Sequence, residues 1–404
     1  VNATGLMWEN AEEFGAYLLF AEHRYYGESL PFGDSQDPSD MQYLSTEQAL
    51  ADFSYLIRDF KGRMGATNNA VIAFGGSYGG MLASWWRLKY PWAVDGAVAA
   101  SAPIWSFEGE EPAYDPGSYA KIVTRDASSA GGATDACAAN IGGIWDSIFD
   151  AGTSTEGRAW LASQLSLCEA PADNDDVWTL AYWLQSAFDY MSMGNYPYET
   201  SYILNGNGVL PPFPMRVACE SLSDDTLDAD QVLQGMAQAV GVYYNNSGGL
   251  SCFDYTQGVN PDSDADANFW GYQYCTEMVQ PFSRGTDDMF FEQPWDQAAS
   301  DASCVQQWGV HQRPMWATVN YGGRRIDHGG SNIVFSNGAL DPWSGGGVLA
   351  NISESIIAVQ TGSAHHLDLM WSTDDDPAEV LEARATELEQ IRRWVAQAAV
   401  ERGG

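Results

Sequence analysis

The feature that most constrains this sequence is a Gly-Gly-Ser-Tyr-Gly segment at residues 75–79. An apolar run at 70–74, typical of a buried parallel strand, precedes it, and a helical pattern at 81–90 follows. A sharp strand-to-helix turn flanked by glycine exposes a serine hydroxyl above the edge of a sheet. The segment therefore predicts that Ser77 is a nucleophile and that the Tyr78 N–H faces a developing oxyanion.

Strands and helices alternate on both sides of this turn. Strands are predicted at 17–21, 70–74, 94–100, 332–336 and 355–360, and helices at 5–14, 45–63, 81–90 and 377–400. This alternation favours an α/β fold whose parallel sheet is built with right-handed crossovers.

The middle of the chain has a different sequence pattern, in which helical stretches are joined by loops rich in Gly, Pro, Asn and Asp. We divide the chain into 1–105, a mainly helical insert at 106–325, and 326–404. All cysteines lie in the insert: Cys137, Cys168, Cys219, Cys252, Cys275 and Cys304. Their even number and wide spacing predict three disulfides and an oxidising compartment. Because no Cys-x-x-Cys pair occurs, we expect no metal site, and we expect no cofactor.

The chain is strongly acidic, with 18 Lys and Arg against 54 Asp and Glu in 404 residues and a net charge of −36. This charge excludes electrostatic binding to nucleic acid or to an anionic membrane. No apolar run approaches the ~20 residues of a membrane-spanning helix. Three Asn-x-Ser/Thr sequons, at Asn2, Asn245 and Asn351, are candidate glycosylation sites.

A serine nucleophile needs a histidine base and an acid that orients it, in the chain order serine, acid, histidine. Asp341 follows the fourth predicted strand, and His365 and His366 follow the fifth. Adjacent side chains in extended backbone face opposite ways, so only one histidine reaches Ser77, and the residues leave open which one. Three other histidines occur, His23, His311 and His328. We expect His23 to form a structural ion pair and interpret His311 and His328 as bystanders.

Four long motifs resemble the family of lysosomal Pro-X carboxypeptidase and dipeptidyl peptidase II, serine peptidases that cut after proline. They occupy residues 21–33, 74–81, 336–348 and 364–369, and the resemblance spans essentially the whole chain. It implies an α/β-hydrolase sheet with an inserted helical cap. It also implies Ser77 as the nucleophile, Asp341 as the acid and His365 as the base. Met81 and Trp343 are candidate walls for a proline ring, the alternative being ordinary core residues.

The resemblance implies the disulfide pairs Cys137–Cys219, Cys168–Cys252 and Cys275–Cys304. The sequence also departs from the family. Met370 stands where the family often has Arg, and Ser283 stands where a further Cys is expected. Only the strand at 17–21 precedes the nucleophile strand, so we expect the N-terminal strands and the second oxyanion donor to be missing, the chain being a fragment.

Within this family, four segments are closer to the carboxypeptidase branch: 287–290, 306–309, 321–323 and 342–345. We therefore expect an exopeptidase that acts on peptides with proline at the cleavage site, in a lysosome or vacuole or outside the cell. The open alternatives are a dipeptidyl peptidase II-like enzyme, a prolyl endopeptidase, an esterase on the same sheet, and a truncated inactive relative. A homodimer is also left open.

Overall fold

The computed structural model of the chain describes residues 4–202, 208–257 and 264–403. The strands are β1 Pro31–Asp34, β2 Ile72–Gly76, β3 Gly96–Ala100, β4 Ile333–Gly338 and β5 Ile356–Thr361. The last four form one parallel sheet in the order β2-β3-β4-β5. The α/β fold class is thus confirmed, and the predicted strands after residue 70 are confirmed to within about two residues at each end.

Helices precede, separate and follow these strands in the chain. Those in the described ranges are α1 Gly5–Phe14, α2 Pro38–Met41, α3 Thr46–Met64, α4 Tyr78–Lys89, α5 Ser118–Asp126, α6 Asp135–Gly152, α7 Thr155–Gln164, α8 Asn174–Met193, α9 Pro214–Glu220, α10 Ala229–Tyr244, α11 Asp264–Thr276, α12 Gln297–Trp308, α13 Trp316–Tyr321 and α14 Ala378–Glu401. None of these helices has the length and apolar character needed to cross a membrane.

The residues of β3 show why the sheet is covered on both faces. Every residue of this strand is buried, and its side chains alternate between two cores. Ala97 packs in one core with Trp85 of α4, whereas Val98 packs in the other with Trp394 of α14. A side chain at Gly96 would lie 2.0 Å from the Trp394 ring, so α14 packs this closely only against glycine.

The helices from α5 to α13 lie between β3 and β4 in the chain. Many of them share a core of their own, to which Ile141, Leu184 and Val240 belong. Three disulfides lie in this region, Cys137–Cys219, Cys168–Cys252 and Cys275–Cys304, which are the pairs implied by the resemblance. We call this region the cap; its limits at 106 and 325 stay a prediction.

The prediction of a strand at 17–21 is wrong. No strand forms there, and Tyr17 and Phe20 are exposed. A strand needs a neighbour whose backbone N–H and C=O groups align with its own, and no described segment pairs with this one. Its aromatic side chains instead contact helices, with Phe20 stacked on Trp8 and Tyr17 edge-on to Phe60.

Candidate active site

Ser77 lies at the turn between β2 and α4, as predicted. Its backbone has φ 57° and ψ −127°, a conformation that costs free energy and is held by the surrounding packing. A side chain at Gly75 would lie 1.9 Å from the Gly79 carbonyl oxygen, and one at Gly76 would lie 2.7 Å from the His366 ring. The glycines are therefore what allows the turn to close and the histidine loop to approach the serine.

Asp341 follows β4 and is fully buried. Its Oδ1 accepts a hydrogen bond of 3.0 Å from the Trp343 N–H, and its Oδ2 lies 2.9 Å from His365 Nδ1. Because a carboxylate only accepts, Nδ1 of His365 carries the proton. Nε2 of His365 is then the nitrogen with a free lone pair, which is the atom that a general base needs.

His366 occupies a different environment from its neighbour. Its Nε2 lies 3.0 Å from the Tyr202 hydroxyl, and its backbone N–H donates to Ser101 Oγ at 2.7 Å. Burial and the adjacent His365 lower the pKa of His366 well below its usual value. The geometry thus separates the two histidines: His365 contacts Asp341 and His366 contacts Tyr202, in agreement with the resemblance, which implied His365.

Of the two hydrogen bonds that a Ser77, Asp341 and His365 triad would need, one is formed among the described residues. Asp341 and His365 are hydrogen-bonded, whereas no hydrogen bond joins Ser77 Oγ to either histidine in the described part of the chain. The His365 and His366 rings lie 4.4 Å apart, and the second contacts the residue before the serine. Such contacts are often long in unliganded enzymes and shorten when substrate binds.

The candidate pocket residues lie in two different apolar clusters. Trp343 is half-buried against the cap, where its ring contacts Tyr119 and Phe282 and its Nε1 lies 3.1 Å from Met193 Sδ. Met81 is buried in the core between α4 and the sheet. The role of each in substrate binding stays a prediction.

Sequence reasoning missed how the cap holds the histidine loop. The Tyr196 hydroxyl donates to the His365 carbonyl at 2.7 Å, and the His365 N–H donates to the Met193 carbonyl at 3.4 Å. A tyrosine about 170 residues from its partner gives no spacing signal. Met370 is buried in the same apolar cluster as Tyr196.

A second buried carboxyl group, that of Asp126, interacts electrostatically with Asp341. Asp126 is fully buried, accepts a 2.6 Å hydrogen bond from Ser192 Oγ and lies 3.2 Å from Arg125. Burial, and to a smaller extent the charge of Asp341, raise the pKa of Asp126 to about 7. The hydrogen bond from Ser192 and the charge of Arg125 act in the opposite direction. Nothing in the residue pattern pointed to this carboxyl group.

The predicted glycosylation sites differ in exposure. Asn2 lies outside the described residues. Asn245 is half-buried, and its amide bonds the Leu250 backbone through both Oδ1 and Nδ2. Asn351 is exposed and accepts from the Ala358 N–H. All three sites stay predictions.

Comparison with known proteins places the chain in a family. The family model described as serine carboxypeptidase S28 matches residues 1–387. The chain is 44% identical over 399 residues to lysosomal Pro-X carboxypeptidase of Homo sapiens, covering 98% of this chain and 78% of the human protein. It is 36% identical over 417 residues to prolyl carboxy peptidase like protein 5 of Caenorhabditis elegans, covering 98% of this chain and 80% of the nematode protein. With these matches and a Ser, Asp and His arrangement at one end of a parallel sheet, the chain belongs to the serine carboxypeptidase S28 family of serine peptidases.

Proposed function

We propose that this protein removes the C-terminal residue from peptides whose penultimate residue is proline, through an acyl-enzyme on Ser77. The observation that carries the proposal is the 2.9 Å bond between His365 Nδ1 and Asp341 Oδ2, in a loop that contacts the serine turn. The 44% identity to human Pro-X carboxypeptidase supports the substrate class.

The proposed mechanism follows from the protonation of His365. Its free Nε2 takes the proton of Ser77 Oγ, and a bond forms between Oγ and the carbonyl carbon of proline. Negative charge develops on the carbonyl oxygen, where the Tyr78 N–H donates. The C–N bond breaks as Nε2 returns the proton to the leaving amine, and water then releases the acyl group by the same steps.

Asp341 would act by orientation and charge. Its hydrogen bond fixes the tautomer of His365 and stabilises the imidazolium that forms during each proton transfer. Trp343, held by the acid loop, would form one wall of the proline pocket, and Met81 of α4 would form another. His366 takes no proton in this scheme, because burial keeps it neutral.

We further propose a lysosomal, vacuolar or extracellular location. The three disulfides support an oxidising compartment, and the named relative is lysosomal. Peptides are the only partners that the proposal requires. The homodimer remains a separate proposal, which light scattering coupled to size-exclusion chromatography tests.

The test offers two peptides together at pH 5, to the wild type and to Ser77→Ala. One peptide has a blocked N-terminus and ends in Pro-Phe with a free carboxylate; the other begins X-Pro with a free amine. Loss of the terminal Phe alone, absent in Ser77→Ala, is the expected result in mass spectra. Release of the X-Pro dipeptide alone would overturn the carboxypeptidase assignment in favour of a dipeptidyl peptidase. Cleavage of neither peptide would overturn both.

A further inference from the structure

A buried polar network surrounds the hydroxyl group of Tyr78, the residue that follows Ser77. Thr46 Oγ1 lies 3.0 Å from this hydroxyl, His23 Nε2 lies 3.2 Å from it, and Gln273 Nε2 donates to it. The three partners come from the loop before β1, the start of α3 and the cap helix α11. The triad does not use any of them.

The orientation of the Gln273 amide is fixed by its other neighbours. Its Oε1 accepts a 2.8 Å hydrogen bond from the Tyr26 hydroxyl, so Nε2 faces the other way. One Nε2 hydrogen goes to Tyr78, and the other goes to Glu277 Oε1 at 2.9 Å. A flipped amide would set its oxygen against this carboxyl oxygen, and Gln273 is fully buried, so water cannot replace either bond.

The direction of the next bond follows from His23. Its Nδ1 lies 2.7 Å from the Arg24 carbonyl oxygen, which only accepts, so Nδ1 carries the proton and Nε2 accepts from Tyr78. Burial, the largest influence, lowers the pKa of His23 and favours this neutral form. His23 is therefore a hydrogen-bond acceptor, and not the ion-pair partner that the sequence predicted.

Glu277 connects the same network to the start of α3. It is buried, and its Oε1 accepts from the Thr46 N–H at 2.7 Å and lies 2.9 Å from Thr46 Oγ1. Thr46 is the first residue of α3, and its N–H has no acceptor within the helix. Gln273 and Glu277 lie one helical turn apart at the end of α11. Their side chains thus hold Tyr78 and Thr46, which are the first residues of α4 and α3.

We propose that Gln273 and Glu277 are positioning residues for the oxyanion donor, acting through the Tyr78 hydroxyl. The peptide unit between Ser77 and Tyr78 carries the N–H that faces the oxyanion, and it follows a serine with strained dihedral angles. Strained backbone persists only where its surroundings over-determine it. Because the Tyr78 ring is rigid, fixing its hydroxyl restricts rotation of this peptide unit.

This inference rests on the proposed function, because only acyl transfer creates the oxyanion. Steady-state kinetics on the Pro-Phe peptide would compare wild type with Gln273→Ala, Tyr78→Phe, Glu277→Ala and Glu277→Gln. We expect kcat to fall about 10-fold in the first three variants while KM stays within about twofold. Glu277→Gln keeps an acceptor oxygen, so we expect it to stay within about threefold of wild type.

The matched control is Glu110→Ala. Glu110 is also buried and also accepts from a helical N–H and a threonine hydroxyl, those of Arg324 and Thr318, outside this network. We expect it to lower Tm without changing kcat. A second measurement uses inhibition by a peptide ending in prolinal, whose adduct with Ser77 places an oxygen at the oxyanion position. Gln273→Ala should weaken this inhibitor about 10-fold and leave the affinity for the corresponding proline acid unchanged.

Three results would contradict the inference: an unchanged kcat in Gln273→Ala and Tyr78→Phe, an equal fall in Glu110→Ala, or equal weakening of the aldehyde and the acid. If Gln273→Ala does not fold by circular dichroism, Tyr78→Phe decides, since it removes a single oxygen atom. An inactive wild type would overturn the proposed function, whereas an active wild type with unaffected variants would overturn only this inference.

Discussion

The hydroxyl group of Tyr196 donates a 2.7 Å hydrogen bond to the backbone carbonyl of His365. The N–H of the same histidine donates to the Met193 carbonyl, so the cap contacts the backbone of the proposed base on both sides of its Cα. Tyr196 is fully buried, which excludes water as a substitute partner. The position of His365 therefore depends on the cap as well as on the strand that precedes it.

The first prediction concerns this contact. Tyr196→Phe removes one oxygen atom and leaves the His365 carbonyl without its donor. Loss of one buried hydrogen bond costs about 1–1.5 kcal/mol, so we expect kcat to fall roughly 10-fold while KM changes little. Steady-state kinetics on the Pro-Phe peptide measures this. A kcat within about twofold of wild type would show that the contact does not position the base.

The second prediction concerns the acid. Asp341→Asn keeps the size of the side chain but offers an N–H where His365 Nδ1 now donates, which favours the wrong tautomer. In the serine protease that serves as the reference case, the equivalent change lowers kcat about 10⁴-fold. We expect a fall of about the same order here, with an unchanged circular dichroism spectrum. A loss of less than about 10-fold would contradict the assignment of Asp341 as the orienting acid.

The third prediction concerns pH and Asp126. The pKa of this carboxyl is raised to about 7 from the ordinary 3.8, because burial disfavours its charged form. A raised pKa contributes stability that is complete below about pH 4 and is lost as the pH rises to about 7. Three pKa units correspond to about 4 kcal/mol. The Tm of Asp126→Asn minus that of wild type should therefore rise by on the order of 5 °C between pH 4 and pH 8, because the asparagine does not titrate.

Scanning calorimetry of both proteins across this range measures the difference, which is more reliable than either curve alone. His23 and His366 change stability with pH in the opposite direction, because their lowered pKa values cost stability as the pH falls below about 6.5. Both histidines are present in wild type and variant, so their effect cancels in the difference. A Tm difference that stays constant with pH would refute the prediction.

The fourth prediction ranks the disulfides. Cys137–Cys219 closes 82 residues and Cys275–Cys304 closes 29. On the chain-entropy model, these loops correspond to about 4.5 and about 3.5 kcal/mol, so replacing the first pair by serines should lower stability more. Urea unfolding of the two double variants measures this. The reverse order would indicate that native packing around the shorter bridge dominates.

The parts of the fold that are local in sequence could be predicted. The turn at Ser77 is determined by residues next to it in the sequence: the strand before it, the helix after it and the glycines between them. The chain order of Ser77, Asp341 and the histidine pair follows from the topology of the sheet. The residues themselves did not decide between His365 and His366, and only the resemblance implied His365, because the choice depends on Asp341 and Tyr202 contacting the two rings from different sides. The strand expected at 17–21 does not form for a related reason: the segment is apolar, but a strand also needs a neighbour to pair with.

The Tyr196 contact also bears on how such a cap can change over evolutionary time. A helical insert that only covered a site would be free to drift in sequence, length and docking angle. Here Tyr196 and the backbone of Met193 contact the proposed base directly, so a shift of α8 would displace His365. Divergence in substrate preference is therefore expected to concentrate on cap surfaces remote from this contact, while the end of α8 and the turn after it stay fixed.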